Sequence, residues 1–115
     1  MADRDDLRRV ALALPDAVEE PGDPRFTVSG RQFVWTWRER VHPKRTKVPR
    51  PDVLVVRVPD LADKEALVAS DPETFVTEPH YDGYPMVLVR LPSADPDVLA
   101  EVVADSYRCV VASRR

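Results

Sequence analysis

Six basic residues lie close together near the middle of the chain, with Glu39 as the single acid among them. They are Arg38, Arg40, Lys44, Arg45, Lys47 and Arg50. Cations on a loop can each meet a phosphate of a nucleic acid, and such binding weakens steeply with added salt. Arg31, at the turn of a preceding hairpin, is placed to add a further contact. Two other interpretations remain open: a solvated connection made basic by a general arginine bias, and a surface for an acidic protein partner.

A second group of residues combines an imidazole, phenol rings and a guanidinium. His80, Tyr81 and Tyr84 fall within five positions, and Arg90 follows. An imidazole titrates near neutrality and can act as an acid, a base or a ligand, but such groups also pack and hydrogen-bond structurally. The group is therefore either a structural turn or part of a small pocket for a planar or anionic ligand. The pocket residues would be Trp35, His80, Tyr81, Arg90 and Tyr107.

The sequence supplies few of the groups that a catalytic mechanism needs. It has no serine or cysteine beside an evident base, no glycine-rich phosphate loop, no H-E-x-x-H and no paired-carboxylate motif. His42 and His80 are 38 positions apart and lack metal-ligand spacing. Cys109 is expected half-buried on a helix, as an inert thiol. We expect a non-catalytic binding protein without a metal or cofactor.

Length and composition set further limits on the kind of protein. With 115 residues, 43% of them hydrophobic and 32% charged, the chain suits one globular domain spanning residues 1–115. The formal net charge is −3, so any nucleic-acid binding must be local. No apolar run approaches the roughly 20 residues that span a bilayer, and the charged N-terminus does not resemble a signal peptide. With a single cysteine, these features predict a cytoplasmic protein with no membrane segment.

Helical periodicity predicts three helices. Apolar residues at helical spacing cover residues 3–14, which Pro15 ends. A second helix is expected over residues 61–69, with Asp60 as its N-terminal cap. The third begins at Asp95-Pro96 and runs to about residue 112.

Five strands are predicted by runs of β-branched and aromatic residues. They cover residues 25–28, 31–38, 53–58, 74–78 and 86–91. Ser29-Gly30 links the first two in a hairpin, and residues 38–51, with three prolines, are expected to form a loop. Phe33, Trp35 and Trp37 share one strand face, which should meet the core. The predicted fold is α+β, a two-layer α-β(3)-α-β(2)-α arrangement with a five-stranded antiparallel sheet.

One long segment resembles a known family. Residues 77–91 read T-E-P-H-Y-D-G-Y-P-M-V-L-V-R-L, similar to the P-H-Y-x-G-Y-P-x-V-L-V-R-L signature of the MmcQ/YjbR family. The A-L-A-L-P of residues 11–15 and the F-V-T of residues 75–77 support the resemblance. So does the closing S-Y-R of residues 106–108, where relatives often have S-W-R.

The resemblance implies the same order of helices and strands, in a fold similar to that of type III secretion chaperones. It also implies a DNA-binding function, attributed in the family to a double-wing surface. Here the basic loop would be one wing and the signature hairpin the other. Two features depart from that pattern: Tyr107 replaces the tryptophan, and the chain is acidic overall. The alternatives are a chaperone-like protein-interaction module and a small-ligand domain using the histidine and tyrosine pocket.

Overall fold

The computed structural model describes residues 2–40, 44 and 46–112. The helices are α1 (Arg4–Leu12), α2 (Leu61–Ser70) and α3 (Pro96–Ala112). The strands are β1 (Ala17–Glu19), β2 (Arg25–Val28), β3 (Arg31–Glu39), β4 (Val48–Arg57), β5 (Phe75–Val76) and β6 (Met86–Arg90). Two short 3₁₀ turns cover Pro79–Tyr81 and Leu91–Ser93. No helix in this part of the chain is both long and apolar enough to cross a membrane.

The three predicted helices are confirmed, and side-chain caps fix the starts of the first two. Asp3 and Asp6 form a reciprocal capping box at the start of α1. The Asp60 carboxylate accepts a hydrogen bond from the Asp63 backbone N–H at 2.8 Å, as expected for α2. Each cap satisfies backbone donors that the first turn of a helix leaves unpaired, which is why these positions could be predicted from residue type.

The sheet is antiparallel, as predicted, but has six strands instead of five. Its spatial order is β1-β2-β3-β4-β6-β5, and every neighbouring pair is antiparallel. The additional strand, β1, pairs Ala17 to Glu19 with Val28 to Phe26, inside a stretch that looked like a turn. Three residues are too few to show strand periodicity, so only pairing with β2 defines this strand.

The predicted loop over residues 38–51 is wrong at both ends. Arg38 and Glu39 extend β3, and residues 48–51 extend β4, so the connection is only residues 40–47. Val41, His42, Pro43 and Arg45 lie outside the described residues. The ladder shifts register after Thr36, which leaves residues 51–53 as a bulge in β4. A bulge tolerates Pro51 because proline there removes no ladder hydrogen bond.

Both faces of the central strands are buried. Leu54, Val56, Val87 and Val89 belong to the main core, against which α1 and α3 pack. Val55 and Leu88 alternate with them and so point the other way, yet they are only 0% and 1% exposed.

The predicted aromatic face divides between the core and the surface. Phe33 enters the core because the β2–β3 ladder is irregular beside it. Trp35 pairs with Val55 on the face opposite the helices, and Trp35 and Trp37 both remain half-buried. The expectation that all three rings meet the core is therefore wrong for the two tryptophans.

The closing S-Y-R segment fastens α3 to the sheet. The Ser106 hydroxyl donates to the Phe33 carbonyl and accepts from the Arg57 backbone N–H at 2.8 Å. The Tyr107 hydroxyl donates to the Pro15 carbonyl at 2.8 Å, and its ring meets Phe33 edge-on at 5.5 Å between centroids. These contacts give both side chains structural roles in the helical layer.

Candidate nucleic-acid interface

Charge is divided unevenly between two parts of the molecule. Residues 25–57, which form β2, β3, β4 and their connections, carry nine basic and two acidic residues, a formal charge of +7. The rest of the chain carries eight basic and eighteen acidic residues, a formal charge of −10. Because β2, β3 and β4 are neighbours in the sheet, the eight of these basic residues that the structure describes, all except Arg45, lie in or beside one half of it. An acidic protein thus has one strongly basic region.

A cleft of about 430 Å³ lies within this region, and we call it the basic cleft. Residues 21–24 form one of its walls, and β3 contributes another. Its cations are Arg25, Arg38 and Lys47, and its aromatic side chains are Trp35 and Tyr81. The cleft therefore combines positive charge with ring surfaces.

Carboxylates already pair with two of the predicted cations. Arg38 lies 3.8 Å from the Asp23 carboxylate, and the Arg50 Nε donates to Glu39 at 2.6 Å. Arg25 and Lys47 have no carboxylate within 4.0 Å among the residues that the structure describes. Arg25 and Lys47 are therefore the cations of the cleft that are most available to an external anion.

The other predicted cations are spread along the β3–β4 hairpin. Arg40 and Lys44 are exposed on the connection, and both already interact within the protein. Arg31 begins β3, seven residues from Arg38, so roughly 23 Å separates them along an extended strand. Arg45 lies outside the described residues. Among the members of the predicted set that the structure describes, only Arg38 and Lys47 line the basic cleft.

The predicted histidine and tyrosine pocket is only partly assembled. Trp35 and Tyr81 line the basic cleft, and His80 meets the Tyr81 ring edge-on at 5.0 Å between centroids. Arg90 is exposed at the end of β6, and Tyr107 lies in the helical layer; neither lines the cleft. The structure therefore joins two members of this pocket to the basic region.

Arg57 is a central residue of this region that the sequence analysis missed. Its guanidinium lies over the Trp35 ring at 5.1 Å from the centroid, and its Nε donates to the Gln32 carbonyl at 2.9 Å. Partial burial, followed by the nearby positive charge of Arg31, lowers the pKa of Arg57 below its ordinary value. Because side chains alternate along a strand, Arg57 lies on the same face of β4 as Val53 and Val55. This spacing in the sequence could have identified Arg57.

Lys64 was also missed, although its side chain positions the segment that carries Tyr81. The side chain is only 7% exposed, and its Nζ donates to the Tyr81 carbonyl at 2.6 Å and the Tyr84 carbonyl at 3.1 Å. Lys64 shares a helical face with Leu67 and Val68, which pack against the core. A lysine on a face that packs inward could have indicated from the sequence that its ammonium has a specific partner. The lysine ties the signature segment to α2.

Replacing Lys64 with methionine should destabilise the protein by about 1–3 kcal/mol, because two backbone carbonyls lose a charged donor while the apolar stem is kept. Urea unfolding would measure the change, and hydrogen exchange should accelerate in residues 79–85. Lys47→Met is the matched control, since Lys47 makes no ion pair among the described residues. Equal stability of the two variants would contradict the anchoring role.

Reactive groups are sparse in the described ranges. Cys109 lies half-buried on α3 as expected, and burial raises the pKa of its thiol. The thiol is therefore protonated at neutral pH and a weak nucleophile. Within residues 2–40, 44 and 46–112, no three His, Cys, Asp or Glu side chains are grouped so as to hold a metal ion.

The protein belongs to the class of small α+β domains, because its antiparallel sheet packs against helices. Its distinguishing feature is the basic cleft. The model of the YjbR family matches residues 12–109, and the chain therefore belongs to the YjbR family. This confirms the resemblance seen in the sequence.

Relatives and a solved structure agree with this assignment. Uncharacterized protein Rv2570 of Mycobacterium tuberculosis is 35% identical over 114 residues, which cover 93% of this chain and 87% of the relative. Uncharacterized protein Mb2600 of Mycobacterium bovis matches to the same extent. The crystal structure of Deinococcus radiodurans protein DR2400, described as a DUF419 domain, has a TM-score of 0.71 and 26% identity. The match covers 96% of this chain and 79% of that one.

Proposed function

We propose that this protein binds nucleic acid without catalysis or a cofactor, in the cytoplasm, and that its interface is the basic region of β2, β3 and β4. The uneven division of charge carries the proposal: +7 on residues 25–57 against −10 elsewhere. A polyanion is attracted to such a region even when the whole molecule is acidic, because screening at physiological salt limits repulsion from charges beyond about 8 Å.

The geometry of the basic cleft favours an unpaired strand over a duplex. Arg25 and Lys47 are placed to contact phosphates, which position a nucleic acid without reading its sequence. The half-buried rings of Trp35 and Tyr81 line the same cleft and offer a stacking surface to an exposed base. Tyr81 comes from the signature segment and Lys47 from the β3–β4 connection, and their common place in the cleft supports a contact surface that uses both segments.

Salt dependence tests the proposal directly. If four cations meet phosphates, counterion release should lower the affinity roughly a hundredfold between 50 and 200 mM salt. Fluorescence anisotropy with a labelled single-stranded 20-nucleotide DNA would measure it, and a duplex of the same sequence should bind more weakly. A protein-interaction surface dominated by apolar contacts would change little with salt. Absence of binding at 50 mM salt, or binding that salt does not weaken, would refute the proposal.

A further inference from the structure

A second cleft, of about 410 Å³, lies between α2 and the segment that follows β5, and we call it the α2 groove. α2 contributes an apolar wall formed by Leu61, Val68 and Ala69, and the other segment contributes Gly83. Leu61 is 46% exposed, and Tyr84, next to Gly83 in the chain, is 58% exposed. An apolar groove flanked by large exposed side chains is typical of a surface that takes an apolar anchor from a protein partner.

The α2 groove lies in a strongly acidic part of the chain. Residues 58–85, all of which the structure describes, include seven acidic residues and one basic residue, a formal charge of −6. The base is Lys64, whose ammonium is already bound to two backbone carbonyls. Among the described residues, none of the seven carboxylates has a lysine or arginine within 4.0 Å. This acidic charge is therefore not neutralised by ion pairs in the described part of the chain.

Two of these carboxylates, those of Glu65 and Asp82, line the groove itself. Asp82 accepts one hydrogen bond, from the Thr77 hydroxyl at 3.1 Å, and Glu65 is exposed on α2. Both carboxylates thus keep oxygens that can accept from an external cation. An apolar centre with charged residues at its edge selects partners by charge, because opposite charges attract and like charges are repelled. The complementary partner is cationic and carries an apolar side chain.

The groove is held in shape before a partner arrives. Lys64 is buried on α2, and its Nζ donates to the carbonyls of Tyr81 and Tyr84, which flank Asp82 and Gly83 in the chain. The two sides of the groove are therefore fixed to each other. A surface that is already ordered loses less conformational entropy when it binds a partner.

We propose that the α2 groove binds a basic peptide segment of a partner protein. An aliphatic side chain of that segment packs on Leu61, Val68 and Ala69, and its neighbouring lysine or arginine side chains meet Glu65 and Asp82. The proposal does not depend on nucleic-acid binding, because none of the described residues that line the α2 groove also lines the basic cleft.

A fluorescein-labelled peptide of sequence K-R-L-L-R-K is the probe, and fluorescence anisotropy at 50 mM salt would measure its binding. Two control peptides separate the contributions: K-R-S-S-R-K keeps the charges without the apolar side chains, and E-D-L-L-D-E keeps the apolar side chains with the opposite charge. K-R-L-L-R-K should bind at least about tenfold more tightly than either control, because the groove requires both features.

Substitution of an exposed leucine locates the apolar contact. Leu61→Ser should weaken binding of K-R-L-L-R-K about tenfold, because it removes apolar surface that the peptide covers. Leu12→Ser is the matched control, since Leu12 is a similarly exposed leucine at the end of α1 and does not line the groove. The control should stay within about twofold of the unchanged protein. Both leucines are exposed, so both variants are expected to fold.

Neutral substitutions test the charges. The double variant Glu65→Gln, Asp82→Asn should weaken binding about fivefold, which corresponds to two exposed ion pairs. Asparagine keeps an oxygen that can accept from the Thr77 hydroxyl. The control Asp5→Asn, Glu101→Gln removes the same two charges from α1 and α3 and should change binding by less than about twofold, because salt screens exposed charges outside the groove.

Several results would overturn the proposal. One is the absence of binding of K-R-L-L-R-K; another is equal binding of K-R-S-S-R-K, which would show that charge acts without the groove. Equal effects of Leu61→Ser and Leu12→Ser would also overturn it. Dimerisation in analytical ultracentrifugation that the Glu65→Gln, Asp82→Asn variant abolishes would assign the groove to the basic region of a second copy instead.

Discussion

Reversing Arg25 and Lys47 to glutamate should weaken single-stranded DNA binding roughly a hundredfold or more at 50 mM salt. Each side chain lines the basic cleft with no carboxylate partner among the described residues, so each can give its full charge to a phosphate. Hydrogen bonds to charged groups contribute about 1.5–3 kcal/mol, and the loss of two corresponds to at least that change in affinity. The slope of log affinity against log salt should also become shallower by about 2.

The matched control reverses Arg9 on α1 and Arg108 on α3 to glutamate. This variant has the same net charge, but both changes lie on helices and neither residue lines the basic cleft. Its DNA affinity should stay within about threefold of the unchanged protein, because distant exposed charges are screened. An equal loss of affinity in both variants would show that net charge, and not the cleft, controls binding. Circular dichroism would confirm that both variants fold.

Replacing Ser106 with alanine should cost about 2–4 kcal/mol of the free energy of unfolding. The serine is 0% exposed, and its hydroxyl is hydrogen-bonded to the Phe33 carbonyl and the Arg57 backbone N–H. Alanine leaves both backbone groups buried without that partner, at about 1–3 kcal/mol each. A small domain has only about 5–15 kcal/mol of stability in all, so the Tm should fall markedly in calorimetry.

Ser70 provides the matched control for this deletion. It is exposed at the end of α2, where its hydroxyl donates to the Leu67 carbonyl at 2.8 Å. Water can replace that hydrogen bond, so Ser70→Ala should change the stability by less than about 0.5 kcal/mol. If Ser106→Ala is as mild as Ser70→Ala, then Ser106 does not hold α3 to the sheet.

Local signals in the sequence determined the helices, most of the strands and the family. Asp3, Asp60 and the Asp95-Pro96 pair mark helix starts because capping depends on residues within one turn of the chain. The Ser29-Gly30 turn likewise follows from local backbone preference, and both residues adopt positive φ, at 52° and 78°. The signature of residues 77–91 indicated the family directly.

Tertiary structure alone decided which charges and rings share a site. β1 is a strand only because it pairs with β2. The β3–β4 hairpin is longer than predicted because the two strands continue to pair beyond a bulge, and residue type does not reveal that pairing. Arg57 meets Trp35, and Lys64 meets Tyr81, across 22 and 17 positions of sequence. Such contacts arise from the packing of distant segments, and no periodicity within one segment encodes them. For that reason the sequence located the basic region, but only the fold could show how its cations are paired and which aromatic rings lie beside them.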